Sequence, residues 1–223
     1  MQTLFQSLQG MSPEWQRDLL LDAIPALVSK YGNVAAAAAA EWYEQVRSQQ
    51  VDGSFDPISS DPYSADAVGK TVRWQAGKLF DGNASDMAQF MDGALNRWIQ
   101  YSGRETIAQN VRLDSAKPRY ARVPSGMRTC AFCSMLASRG FVYHSEKSAG
   151  EFSEWHNDCH CQIVPEWDRE TAHIEGYDPE GMYSQYLQAR EGLGEHPQQE
   201  QILSNMRILF PHSFTDGDTV HTA

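Results

Sequence analysis

All four cysteines of this 223-residue chain fall between positions 130 and 161, and that clustering limits what the segment around them can fold into. Cys130-Ala131-Phe132-Cys133 is a C-x-x-C, and after a spacer comes His156-Asn157-Asp158-Cys159-His160-Cys161. A C-x-x-C on one side and an H-x-x-C-x-C on the other supply the two halves of one metal site. Thiolate and imidazole are ligands that zinc prefers, and a structural tetrahedral site takes four of them. Five candidates compete for those places: Cys130, Cys133, His156, Cys159 and Cys161. His160 sits between two of them and points the other way on an extended backbone. An ion held this way also fixes a small module that apolar burial alone would not hold together.

Two other chemistries use the same residues. Four cysteines make an even count with three possible disulfide connectivities. Nothing at the N-terminus resembles a secretory signal, which points to a compartment where thiols stay reduced. A redox C-x-x-C belongs in a thioredoxin-like βαβ setting, and no such pattern surrounds Cys130. A structural zinc ion is the expectation carried forward.

Composition narrows the class of protein. Hydrophobic content of 41 % and charged content of 21 % describe an ordinary globular chain. No apolar run approaches the ~20 residues of a spanning helix, so no membrane segment is expected. The formal net charge of −11 argues against wrapping nucleic-acid backbone, which needs clustered Lys and Arg. The charge is uneven, however. Between positions 104 and 139, Arg104, Arg112, Lys117, Arg119, Arg122, Arg128 and Arg139 face only Glu105 and Asp114, a balance of +5 against −16 for the remainder. That segment reads as a solvated face, or as a docking surface for an acidic partner or DNA.

Local signals divide the chain into three parts. Residues 1–11 carry few of them and read as loose. Ser12-Pro13-Glu14 opens a helix, and Trp15, Leu19, Leu20, Ile24, Leu27, Val28 and Tyr31 mark its apolar stripe. Pro25 should kink or split that helix, and Gly32 should stop it. A second helix carries Ala35 to Ala40, with Val34, Ala38, Trp42 and Val46 on one face, so residues 11–50 read as an αα-hairpin. Turn chemistry fills 51–63. Helices then start at Ser64, with Val68, Val72, Ala76 and Leu79, and at Ser85, with Met87, Phe90, Met91, Leu95, Trp98 and Ile99. Residues 1–116 are thus expected as a helical domain. Residues 117–167 read as a metal-stapled α+β module: strands near 118–124, 141–143 and 161–165, a helix over 130–138 and a turn region at 145–150. Residues 168–223 read as a helical extension, with helices at 179–188 and 197–209 and a mobile tail from 211. The fold class expected is mainly α with a small α+β module.

Two blocks carry a resemblance to a known family. The first is Tyr31-Gly32-Asn33 with the alanine run and Glu41-Trp42-Tyr43. The second is Arg122-Val123-Pro124, Thr129-Cys130-Ala131-Phe132-Cys133, Met135-Leu136-Ala137-Ser138-Arg139-Gly140, Val142-Tyr143, and His156-x-x-Cys159-x-Cys161 leading into Ile163-Val164-Pro165. With the linking helices these resemble, over most of residues 12–167, the MuF-like minor capsid (head morphogenesis) proteins of tailed bacteriophages of actinobacteria. The resemblance implies a low-copy component of the capsid interior, assembled in the host cytoplasm and associated with the portal protein and other head proteins. It would act in head assembly, DNA packaging or ejection, with a structural Cys/His site, no enzyme activity, and contact with packaged DNA as an open question. Two alternatives use the same residues. One is a zinc-stabilised nucleic-acid-binding module reading through Arg119, Arg122, Arg128 and Arg139. The other is a metal-dependent nuclease invited by His156-Asn157 and His160, which would need an open metal position and a general base.

Overall fold

In the computed structural model, which describes residues 1–125, 128–144, 157, 159–168 and 173–216, the chain is mainly α with one two-stranded sheet. Among the described residues the elements follow in order: α1 (Gln2–Ser7), α2 (Pro13–Gln50), α3 (Ala65–Gln75), α4 (Gly77–Phe80), α5 (Ala84–Leu113), β1 (Arg119–Val123), α6 (Ala131–Ala137), β2 (Gln162–Glu166), α7 (Pro179–Arg190) and α8 (Gln199–Leu209). They form two compact units. Met1–Gln45 and Asp56–Gln109 build the first; Val46–Phe55 and nearly all described residues from Asn110 onward build the second.

The first unit differs most from its sequence reading. Residues 11–50 do not form a hairpin, because α2 runs unbroken through Pro25 and Gly32 for 38 residues. Proline inside a helix costs about 3 kcal/mol. Leu20, Ile24 and Val28 flank it and are wholly buried, at roughly 1.5–3 kcal/mol each, so packing outweighs the local penalty. Gly32 does not stop the helix either. It admits a close neighbour: a Cβ there would lie 2.8 Å from Ser102 Oγ and 3.1 Å from Pro62 Cβ. Gly103 of α5 is the counterpart, where an added Cβ would sit 3.5 Å from the Ala35 carbonyl oxygen and 3.8 Å from Ala39 Cβ. The alanine run therefore serves the approach of α2 to α5.

Around that contact Val68, Val72 and Ala76 of the α3 segment and Met87, Met91, Ala94 and Trp98 of α5 close one core with Leu20, Ile24 and Val28. The N-terminal residues are not loose. Leu8 is buried in the same core, and Met1, Leu4 and Phe5 pack against it. Ser64 caps α3 by accepting from Ala67 N–H, as its position suggests. The turn-rich segment before it is pinned where Ser60 N–H donates to Thr106 Oγ1 at 3.0 Å and Ser60 Oγ to the Ser102 carbonyl at 2.8 Å.

In the second unit β1 and β2 pair antiparallel, with Arg119 opposite Glu166 and Val123 opposite Gln162. The strand expected at 141–143 contributes a single bridge, Tyr143 to Tyr120. Helix α6 packs with α7 and α8 through Ala131, Met135, Leu136, Ala189, Ile202, Leu203 and Met206. The tail after α8 is docked through residue 216: Phe214 is buried in that core and Thr215 N–H donates to the Thr129 carbonyl at 3.0 Å. The turn region at 145–150 and residues 217–223 lie outside the described residues. A buried ion pair anchors the unit: Arg47 Nε donates to Asp114 Oδ2 at 2.8 Å, with side chains 6 % and 0 % exposed. Arg47 also donates to the Gly53 carbonyl, and Trp167 Nε1 to Asp114.

Three substitution tests follow from this packing. Gly32→Ala should lower unfolding free energy by about 1–3 kcal/mol through overpacking, although alanine is the better helix former. Gly69→Ala on α3 meets only Arg73 Nη1 at an ordinary 3.6 Å and should raise it by up to about 1 kcal/mol; denaturant titration reads both. Asp114→Ala strands a buried guanidinium and should cost about 3–5 kcal/mol in the same measurement.

Candidate metal centre

Two short elements place the sulfur donors. Cys130 is the N-cap of α6, where its Sγ accepts the Cys133 backbone N–H at 3.2 Å, which turns Cys133 inward from the first helical turn. From the other side, Cys159 and Cys161 immediately precede β2. Cys159 and Cys161 are buried there and the intervening His160 is exposed, the alternation expected of side chains that point to opposite faces. Pairing of β2 with β1 fixes this segment, and Ser125 Oγ donates to the His160 carbonyl beside it.

The sulfur atoms of Cys133, Cys159 and Cys161 consequently lie within 4.8 Å of one another. Cys133 and Cys159 are 3.5 Å apart. A disulfide requires about 2.05 Å, and all four cysteines are free thiols. The edge of a tetrahedron with metal–sulfur bonds of about 2.3 Å is about 3.8 Å, so the observed spacing suits shared coordination. Cys133 and Cys161 are each 1 % exposed, and Cys130 and Cys159 4 %. Of the five expected ligands, three thus converge directly. Cys130 contacts the cluster through Cys133, and His156 lies outside the described residues.

The surroundings hold these sulfurs as thiols. Hydrogen bonding to Cys130 and then Cys159, followed by burial, pushes the Cys133 thiol well above its ordinary value. Hydrogen bonding to Cys133 and Cys159, then burial, does the same to Cys161. Packed without compensating charge, these groups hold their protons; a bound dication would displace them. One fixed positive group is already present. Arg122 of β1 is 1 % exposed, its Nη2 lies 3.6 Å from Cys133 Sγ, and its guanidinium stacks over Phe132 at 5.6 Å. It draws the Cys133 thiol downward, against the larger upward influences. Three soft, buried donors can hold a metal ion, and the arrangement fits a thiophilic one.

Residues outside the cysteine motifs hold the helix that carries Cys133. Asp216 Oδ1 accepts the Ala131 N–H at 2.9 Å, while its Oδ2 accepts from Arg207 Nε at 2.9 Å. Tyr143 OH donates to the Leu136 carbonyl at 2.6 Å and Tyr177 OH to the Ala137 carbonyl at 2.5 Å, so both ends of α6 are satisfied. Thr129 Oγ1 lies 3.4 Å from Cys161 Sγ. None of these partners has a short-range sequence signal. Arg122 stands in the basic segment, but with Arg104, 2 % exposed, it is buried. That segment is not a continuous cationic surface.

A mainly helical chain with a small sheet-and-helix module built around buried thiols is the class that fold and site define. The chain belongs to the VG15 protein family, whose model matches residues 1–189, and its relatives are bacteriophage proteins. It is 32 % identical to the Gene 15 protein of Mycobacterium phage D29, over 33 % of this chain and 38 % of that one. To the Gene 15 protein of Mycobacterium phage L5 it is 29 % identical, over 32 % of this chain and 38 % of the relative. The matched stretch is therefore well under half of either relative. No solved structure matches the chain. Among the described residues no helix is long and apolar enough to cross a membrane.

If the sulfurs share an ion, a strong chelator should lower the melting temperature of the wild type by roughly 10 °C or more. Cys133→Ser and Cys161→Ser should melt near the chelated wild type and respond little to chelator. Tyr143 gives a pH test. Burial raises its hydroxyl from 10.0 to about 12, so the folded state favours the neutral form. Its contribution is complete below pH 10 and is lost as pH rises from 10 to about 12. Tyr143→Phe should cost about 1 kcal/mol at neutral pH and show a shallower loss of stability across that alkaline window.

Proposed function

We propose that this chain is a non-enzymatic minor capsid protein of a tailed phage, of the MuF-like type, with one structural zinc ion at its thiol cluster. It would associate with the portal inside the head and act in assembly, DNA packaging or ejection. The observation that carries this reading is the sealing of the donors in a phage protein. Catalytic zinc keeps an open position for water and substrate, whereas Cys133, Cys159 and Cys161 are closed off from solvent. A role in holding the module together matches that geometry better than hydrolysis. Burial of Arg104 and Arg122 withdraws two of the seven cations on which DNA contact by the basic segment would draw, which favours protein partners over nucleic acid.

Quantitative mass spectrometry of purified virions should find the chain at low copy number, and an affinity-tagged copy from infected cells should retain the portal. Absence from purified heads, combined with metal-dependent nicking of plasmid DNA by the pure protein, would replace this reading with the nuclease.

A further inference from the structure

The alternation of β1 decides where Arg122 goes. Ala121 and Val123 join Ala137 and Tyr177 in a small apolar core, so the strand sends Arg122 to its opposite face. There Arg122 is 1 % exposed, and its Nη2 lies 3.6 Å from Cys133 Sγ. The guanidinium sits 5.6 Å from the centre of the Phe132 ring, next to Cys133 in sequence. Strand pairing sets Arg122 opposite Ile163, two residues beyond Cys161. Its charge is thereby held against both segments that supply sulfur. A second polar group stands at Cys161, where Thr129 Oγ1 is 3.4 Å from Sγ.

A loaded cluster is negatively charged. A dication gripped by three thiolates leaves one net negative charge, and gripped by four it leaves two. Away from water that charge is costly to hold without a positive group beside it, and a fixed guanidinium acts there with little screening. Sulfur is a weak acceptor as a thiol. As a metal-bound thiolate it accepts more strongly, because hydrogen bonds to ionised groups are the stronger kind. Arginine stays charged at every accessible pH. On the structural-zinc reading above, which this inference requires, we propose that Arg122 is the built-in counter-charge of the metal centre. It is a positioning residue: it acts on the ion through the Cys133 sulfur and sets how tightly a dication is held. Thr129 adds a neutral hydrogen bond of smaller effect.

The test uses the full chain, purified under reducing conditions, with zinc and cobalt(II) as probes. Competition against a chromophoric chelator reads zinc affinity. Arg122→Met keeps an apolar stem and removes the charge; it should weaken zinc binding by roughly ten- to a hundredfold. Arg122→Gln, a second neutral replacement, guards against a folding failure of the first and should behave alike. Arg122→Lys restores a charge without the planar fork and should hold zinc at least about fivefold more tightly than Arg122→Met. Cobalt reads the charge directly. A positive group beside sulfur lowers its lone pairs, so the sulfur-to-cobalt absorption should move to longer wavelength in the neutral variants and return toward the wild-type position in Arg122→Lys. Lost packing alone would weaken all three variants and leave that absorption in place. Neutral variants that hold zinc within about threefold of wild type, or an unmoved cobalt absorption with Arg122→Lys as weak as Arg122→Met, overturn the proposal and leave the zinc reading standing. A wild type that takes up neither metal removes both.

Discussion

Three thiols within 4.8 Å of one another, nearly sealed from water, tie the start of α6 to the residues that lead into β2. Close-packed sulfurs are neutral donors with weak hydrogen bonds when protonated and mutually repelling anions when not. Neither state holds two chain segments together strongly. A shared cation changes the sign of the problem, because attraction to each thiolate then adds. Such an ion would join Cys133 of α6 to Cys159 and Cys161, which lead into β2. A two-stranded sheet and a seven-residue helix bring little apolar area of their own to that junction.

The helix that carries Cys133 is held from several directions. Hydroxyls of Tyr143 and Tyr177 satisfy its last carbonyls, and the Asp216 carboxylate satisfies its first N–H. The apolar side of α6 is covered by α7, α8 and Phe214. The C-terminal helices thus support the sulfur cluster by orienting α6, and the position of Cys133 depends on residues more than eighty positions further on, such as Asp216. Arg122 adds a fixed positive charge beside the same sulfur, and its stacking on Phe132 keeps the guanidinium in place.

How much of this was legible in the sequence depended on the range of the forces involved. Strands near Arg119–Val123 and Gln162–Glu166, the short helix beginning at the C-x-x-C and the helices from Pro179 and Gln199 are written in residues a few positions apart, and each was readable. The alternation that buries Cys159 and Cys161 around His160 was readable for the same reason. Helix α2 was misread because Pro25 and Gly32 are strong local punctuation, while the core that overrides them is assembled from α3 and α5. Its apolar residues were correctly recognised as periodic, yet periodicity cannot say which of two adjacent stripes turns inward. Arg122 looked like surface charge because six other basic residues surround it in sequence; only the fold shows that it is enclosed with sulfur. Asp216 and Tyr177 had no signal at all, since each reaches a backbone group of a helix distant in sequence.

Within a family of bacteriophage proteins, this chain carries a sealed cluster of soft donors. The most direct measurement of the central claim is X-ray absorption at the zinc edge on protein purified under reducing conditions. The expected result is one zinc per chain with a first shell dominated by sulfur at about 2.3 Å. A shell of oxygen and nitrogen alone, or protein that is fully folded with no bound metal, would contradict it.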